Sequence, residues 1–250
     1  MKILLTNDDG IYAEGIYLLY EQLKKIGEVI VVAPDSERSA VGHGITLSRP
    51  IWYKNVKRKQ KAFGYGISGT PADCVKFAIG VLLKVKPDVV VSGINLGPND
   101  GCSVFYSGTV AGAREGALLG IPSIAISLDT FINPDYTFAA KFGAKITKHV
   151  YKNTLPKGTF LNVNVPNIKS LKIRGIKATR QCTVPIHGSF RKKKDPNLKD
   201  YYWMTGKVPT QKNNDKIDTY ALGNNYVTIT PIKSDSTDYD YLKEVESLRL

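Results

Sequence analysis

Long apolar runs are missing from this sequence. No stretch reaches the roughly 18 consecutive apolar residues of a membrane-spanning helix, and the amino-terminal Met1-Lys2-Ile3-Leu4-Leu5-Thr6-Asn7-Asp8-Asp9 meets two acids too early for a secretory signal. Both absences disfavour export and membrane insertion and make the cytoplasm the expected location. Cysteine is scarce. Cys74, Cys102 and Cys182 are scattered, odd in number and without a CxxC spacing, so neither a disulfide framework nor a cysteine zinc site is expected. Histidine is as scarce, and His43, His149 and His187 form no HxxxH pair, which argues against a histidine zinc site. There is no GxxxxGK[ST] loop and no GxSxG elbow, and Asp8-Asp9 lacks the DxD spacing of aspartyl-phosphate phosphatases. Gly64-Tyr65-Gly66-Ile67-Ser68-Gly69 matches GxGxxG literally. However, no clear strand enters these glycines, and Asp88 begins a strand instead of ending one, so a dinucleotide site is not expected there.

The chain has 250 residues, 42% of them hydrophobic, enough for a large core in one or two domains, and its formal net charge is +13. That charge is localised. Thirteen Lys/Arg against three Asp/Glu lie between Lys169 and Lys216, and Lys54 to Lys61 holds five basic residues and no acid. Elsewhere 17 basic residues face 19 acidic ones, so the body of the chain is nearly neutral.

Short apolar runs alternate with helical patterns. Lys2 to Thr6, Glu28 to Ala33, Asp88 to Ser92, Ser123 to Leu128 and Phe160 to Val165 read as buried strands. Apolar residues at helical spacing run from Gly15 to Ile26, with Gly27 as the expected carboxyl-terminal cap. A second helix opens at Thr70-Pro71 and is expected to reach about Lys86; others cover Thr109 to Leu119 and about Tyr136 to Tyr151. This is the pattern of an α/β fold, a Rossmann-like and mostly parallel sheet with helices on both faces. Residues 1–180 form the expected catalytic region and 181–250 a carboxyl-terminal extension. Ile173 to Thr179, before the extension, could still be a strand; the extension itself holds a basic, aromatic arm or hairpin at 183–216, a strand at Tyr226 to Thr230 and a terminal helix at Thr237 to Leu248. Tyr201, Tyr202, Trp203 and Met204 argue against a fully solvated arm and for burial against a subunit partner.

In such sheets ligands bind beyond the carboxyl ends of the strands, so the residues after each strand carry the functional information. Asp8 and Asp9 follow the first strand. Adjacent carboxylates repel, and a divalent cation of the Mg²⁺ or Mn²⁺ kind compensates them through hard oxygen ligands. One aspartate could instead cap the next helix while the other sits in solvent. Ser39 and Asn95 are neutral oxygen donors after neighbouring strands, each alone equally at home in an Asx turn or helix cap. Together with the aspartates they make an open metal shell with room for water and a phosphate. Ser107-Gly108-Thr109 opens a helix, where hydroxyls and N–H groups suit an anion as well as an ordinary cap, and Asn99 and Ser103 stand in the intervening loop. His43, between two glycines, reads first as an ordinary loop histidine and otherwise as a loop residue near this constellation.

Asn7-Asp8-Asp9-Gly10, Ala33-Pro34-Asp35 with Ser39, Gly69-Thr70-Pro71-Ala72-Asp73-Cys74-Val75, Ser92-Gly93-Ile94-Asn95-Leu96-Gly97 and Tyr106-Ser107-Gly108-Thr109-Val110 resemble the SurE family, the stationary-phase survival proteins. Asn162-Val163-Asn164-Val165-Pro166 and Tyr226-Val227-Thr228-Ile229-Thr230-Pro231 extend the likeness along essentially the whole chain. The resemblance implies a metal-dependent 5′-nucleotidase acting on nucleoside 5′- and 3′-monophosphates, with polyphosphate shortened by some members. It implies a carboxyl-terminal extension exchanged between subunits of a homodimer or tetramer. On the matching positions Asp8, Asp9, Ser39 and Asn95 would hold one divalent cation per subunit, Asp8 or Asp9 would accept a proton, and Asn99, Ser107, Gly108 and Thr109 would bind phosphate. Ala40 and His43-Gly44 depart from the usual residues of the loop beside the site. The rival readings are a nucleic-acid-binding protein, using Lys54 to Lys61 and the arm with its stacking aromatics, and a nucleotide-binding module without catalysis.

Overall fold

Every apolar run of the sequence becomes a strand of one sheet. The computed structural model describes residues 1–186, 188–206 and 214–248. In chain order its elements are β1 (Lys2–Thr6), α1 (Glu14–Leu23), β2 (Glu28–Pro34), β3 (Tyr53–Arg58), β4 (Lys61–Ile67), α2 (Pro71–Phe77), β5 (Val89–Leu96), α3 (Gly108–Leu118), β6 (Ser123–Asp129), α4 (Thr137–Asn153), β7 (Thr159–Pro166), β8 (Gly175–Ala178), β9 (Ser189–Lys194), β10 (Asp200–Thr205), α5 (Asp218–Gly223), β11 (Tyr226–Lys233) and α6 (Tyr239–Glu246). Nine strands lie in the order β3-β4-β2-β1-β5-β6-β7-β11-β8, while β9 and β10 form a separate two-stranded hairpin. Neighbours run parallel from β4 through β7, and β3 against β4 and β11 against β7 are antiparallel.

Alternation along the strands sorts the core into two sides. Ile3 and Leu5, Val31 and Ala33, Val89 and Val91 join α1 and α4 on one face. Leu4, Val32 and Val90 join α2 on the other. Each fully buried Leu or Ile contributes roughly 1.5–3 kcal/mol, and the charged residues of these strands, Lys2, Glu28 and Asp129, stand at strand ends. Helix α3 lies on the α2 side unusually close to the sheet. Gly108, Gly112 and Gly116 recur at four-residue spacing on one face, and a Cβ on the last two would fall 2.8 Å from the Ser92 hydroxyl and 2.3 Å from that of Ser123. This approach sets the amino-terminus of α3 against the end of β1.

Four sequence expectations change. A strand does enter the GxGxxG glycines, since β4 runs through Gly64 and Gly66. A Cβ at Gly64 would lie 2.5 Å from the Val31 carbonyl, so that glycine serves strand packing. The basic Lys54 to Lys61 segment is most of the β3–β4 hairpin at the sheet edge. The second helix stays α-helical only to Phe77, then widens into a π-helical turn at Ala78–Leu82 before β5. Gly27 does not cap α1, which ends at Lys24; it clears the Met1 carbonyl, 2.5 Å from where its Cβ would be. The arm does form a hairpin, β9–β10, exposed along its whole length. His187 and residues 207–213 of the arm lie outside the described residues.

Candidate active site

The carboxyl ends of β2, β1 and β5 are adjacent in the sheet, and the three expected ligand segments follow them. Beyond β1, Asp8 is 5% exposed, so its carboxyl is almost wholly out of water. Thr109, in the first turn of α3, donates its hydroxyl to Asp8 Oδ1. The fit is close: a Cβ at Gly108 would come within 2.8 Å of the Asp8 Cβ. Asp9 accepts from the backbone N–H of Leu96 at 3.1 Å, which ties β1 to the end of β5. A bulge in β5 between Ser92 and Asn95 turns that strand end toward the aspartates. Asn95 accepts from Thr109 Oγ1 at 3.4 Å and donates to the Gly97 carbonyl at 2.7 Å.

Ser39 arrives on the loop after β2, with its hydroxyl bonded to Glu37 Oε1 at 2.6 Å. Several clasps hold this loop. Arg38 N–H donates to the Asp8 carbonyl at 2.7 Å and Gly42 N–H to that of Tyr106 at 2.9 Å. Thr46 donates its N–H and hydroxyl to the two carboxylate oxygens of Asp73, at 3.0 and 2.6 Å. His43 Nε2 lies 2.9 Å from Glu115 Oε2, and Lys76 Nζ 2.9 Å from Glu115 Oε1. Burial pushes the Glu115 carboxyl up, but its bonds to His43 and Lys76 outweigh this and hold it below its ordinary value.

Asp8, Ser39, Asn95, Asn99, Ser103 and Ser107 line one open cleft of 230 Å³. Ser107 is the amino-terminal cap of α3, its oxygen accepting from Val110 N–H at 3.1 Å. Asn99 faces inward as well as onto the cleft: it donates its amide to Ser127 Oγ at 2.8 Å, and its backbone N–H to Asn164 Oδ1 at 2.7 Å. It therefore anchors the cleft wall to β6 and β7. Tyr106 and Phe131 stand at the mouth, the Phe131 ring lying over Gly97, where a Cβ would meet it at 2.4 Å.

The electrostatics of this cleft are unbalanced. Burial raises the Asp8 carboxyl above its ordinary value against the opposing Thr109 bonds. Burial and then the Asp8 charge raise Asp9 to about 7. Among the described residues no Lys or Arg pairs with either. Two desolvated carboxylates, with the carbonyl oxygen of Asn95 and the Ser39 hydroxyl at the same cleft, are a hard-oxygen donor set that fits a divalent cation and not a soft one. Among the described residues no three His, Cys, Asp or Glu side chains gather as a metal centre, so any site here relies on neutral oxygens.

The profile described as Survival protein SurE matches residues 3–187. The chain belongs to the SurE family. A SurE relative from Thermosipho melanesiensis, named 5′-nucleotidase SurE, is 47% identical over 98% of this chain and 96% of its own length. One of the same name from Syntrophus aciditrophicus is 46% identical over 99% of this chain and 94% of its own. The crystal structure of the SurE protein from Aquifex aeolicus superposes with a TM-score of 0.86 at 41% identity, covering 98% of both chains. Against this SurE fold, sequence reading missed two contributors to the site. The first is the bond from Thr109, itself named for phosphate, to Asp8, which joins residues 101 positions apart. The Glu115 partner of His43 lies 72 positions away inside a helix, and no local pattern signals such a pair.

Proposed function

We propose that this chain is a divalent-metal-dependent phosphomonoesterase that hydrolyses nucleoside 5′-monophosphates, and also 3′-monophosphates, to nucleoside and phosphate. One observation carries the reading: buried Asp8 lies under the amino-terminus of α3 with half-buried Asp9 beside it and, among the described residues, no Lys or Arg pairing with either, in a chain whose full-length relatives are named 5′-nucleotidases. Asp8, Asp9, Asn95 and Ser39 would hold one Mg²⁺ or Mn²⁺. When bound, that cation supplies Lewis-acid stabilisation of the phosphoryl oxygens and a water of lowered pKa.

The chain's own groups do the rest. The first turn of α3, through the Ser107 hydroxyl and the N–H groups of Gly108 and Thr109, meets the equatorial oxygens where charge builds up. Thr109 fixes the Asp8 carboxylate, and the Leu96 N–H fixes Asp9, so neither must reorganise during reaction. Asp8 and Asp9 are the carboxylates placed to take the proton of an attacking water. Asn99 holds the cleft wall in register. Tyr106 and Phe131 offer flat faces to the nucleoside base. A site that reads the terminal phosphate and leaves the cleft mouth open would also trim short polyphosphate.

Residues 1–180 are proposed as the catalytic region and 181–250 as an extension exchanged between subunits of a homodimer or tetramer. Support comes from Tyr202, Trp203 and Met204 on β10, which stand 58%, 60% and 72% exposed in a single chain. The proposed location is the cytoplasm, which suits the scarcity and scattered placement of the three cysteines; no described helix is long and apolar enough to cross a membrane. Phosphate release from a panel of nucleoside 5′- and 3′-monophosphates, with Mg²⁺ or Mn²⁺ and then with excess chelator, tests the reading. Metal-dependent turnover of the 5′-esters is expected. Turnover that persists undiminished in chelator overturns it.

A further inference from the structure

A second cavity, of 340 Å³, opens where the turn at Gly101–Phe105, α3, the segment after β8, and β11 meet. It shares no lining residue with the catalytic cleft. The two lie on opposite sides of one turn: Ser103 and Tyr106 face the cleft, Val104 and Phe105 this cavity. Three cations line it, namely Arg114 of α3, Arg180 and Lys233, and no carboxylate does. Among the described residues none of the three forms an ion pair. Asp235, the carboxylate next along the chain from Lys233, is hydrogen-bonded by Tyr239 and Thr237 and also interacts with the Lys233 charge, though without an ion-pair contact. Arg114 is partly buried, with its guanidinium 5.7 Å from the centre of the Phe160 ring. Burial lowers its pKa, the mark of a cation that lacks a counter-charge.

We propose that this cavity is an anion site for a phosphate chain of the inorganic triphosphate class, held by Arg114, Arg180 and Lys233. Arg114 is partly buried, Arg180 and Lys233 line the open side, and a multiply charged ligand meets all three at once where one carboxylate would not. Two guanidinium forks match phosphate oxygens bidentately, and the ammonium adds a point charge. The inference does not depend on the chemistry of the catalytic cleft.

Calorimetric titration in excess chelator tests it, with inorganic triphosphate, orthophosphate and a nucleoside triphosphate as separate probes. Chelator leaves Asp8 and Asp9 uncompensated, so the catalytic cleft repels these probes. Triphosphate is expected to bind once per chain and more tightly than orthophosphate. The Arg114→Met, Arg180→Gln double variant should bind it about tenfold more weakly or worse, while Arg114→Lys with Arg180→Lys recovers part of the loss. Asp8→Asn should bind as the wild type does, and the double variant should keep metal-dependent phosphate release, which shows that it folds. Equal affinity for inorganic and nucleoside triphosphate means that the chain of phosphates alone is read; tighter binding of the nucleotide means that Phe105 adds a stacking face. Either supports the site. No binding by the wild type, unchanged binding by the double variant, or a loss that follows substitution of Arg191 to Lys194 instead, overturns the proposal. So does a double variant that changes oligomeric state when triphosphate does not bind the wild type, since the cavity then receives a second copy of the chain.

Discussion

Asp8 is held out of water under a helix amino-terminus, with half-buried Asp9 beside it, whereas Arg191, Lys192, Lys193 and Lys194 stand in solvent along β9. The arm at 183–216 carries a net +5 of the chain's +13, yet its electrostatics are mild. The Lys192–Asp200 pair at 2.7 Å is exposed on both sides and contributes about 0–1 kcal/mol. The two aspartates are a small part of the total, but burial and proximity lift Asp9 to about 7. Burial, and not count, decides which charges of this molecule carry chemistry.

The largest effect should come from breaking the buried pair. Asp9→Asn removes one of the two carboxylates and is expected to lower metal-dependent turnover of a nucleoside 5′-monophosphate by roughly a thousandfold. Steady-state phosphate release measures it, and near-wild-type turnover would place the chemistry elsewhere.

Asp100 sharpens the contrast and is not among the proposed metal ligands. It is buried, its Oδ1 has no hydrogen-bond partner, and burial, then Asp218 and Asp129, raise it to about 7 from an ordinary 3.8. Between those pH values the folded protein keeps a proton that the unfolded chain has released. This contribution is therefore greatest in acid and is lost as pH rises toward 7. Asp100→Asn has no such proton to lose, so above pH 7 it should be the more stable protein by on the order of 2 kcal/mol, the gap closing toward pH 4. Denaturant unfolding across this range would show it, and parallel curves would refute it.

A smaller effect is expected at the Ser39 loop. His43→Ala removes the bond to Glu115 and should lower kcat/KM by about tenfold, with His43→Gln recovering much of it. Equal loss in both variants would mean that the ring's shape matters and the bond does not. The smallest effect belongs to the arm. Changing Arg191, Lys192, Lys193 and Lys194 together to Gln should leave the stability of the body within about 0.5 kcal/mol while altering the salt dependence of substrate capture or the oligomer equilibrium. If neither property moves, the basic arm has no part in either.

The legible parts of this fold were those where burial leaves a local mark. β1, β2, β5, β6 and β7 are covered on both faces and read as apolar runs. Asp8, Asp9, Ser39 and Asn95 stood out because each follows such a run. The β3–β4 hairpin hid its strands, since at the sheet edge β3 buries only Val56 and fills its other positions with basic and polar residues. α5 spans six residues, too few for a helical period to show. The clasps on the Ser39 loop join residues far apart in sequence, and no local pattern records them.

The glycine face of α3 also governs how the molecule breathes. With no side chains between helix and sheet at Gly112 and Gly116, there is no soft layer in which α3 could slide or lift by itself. Its amides should open only when the central strands open. The first turn of α3 at Ser107–Thr109 thereby inherits the slow exchange of the sheet, while the loop bearing Ser39, held by a few discrete clasps, is free to fluctuate against that rigid floor.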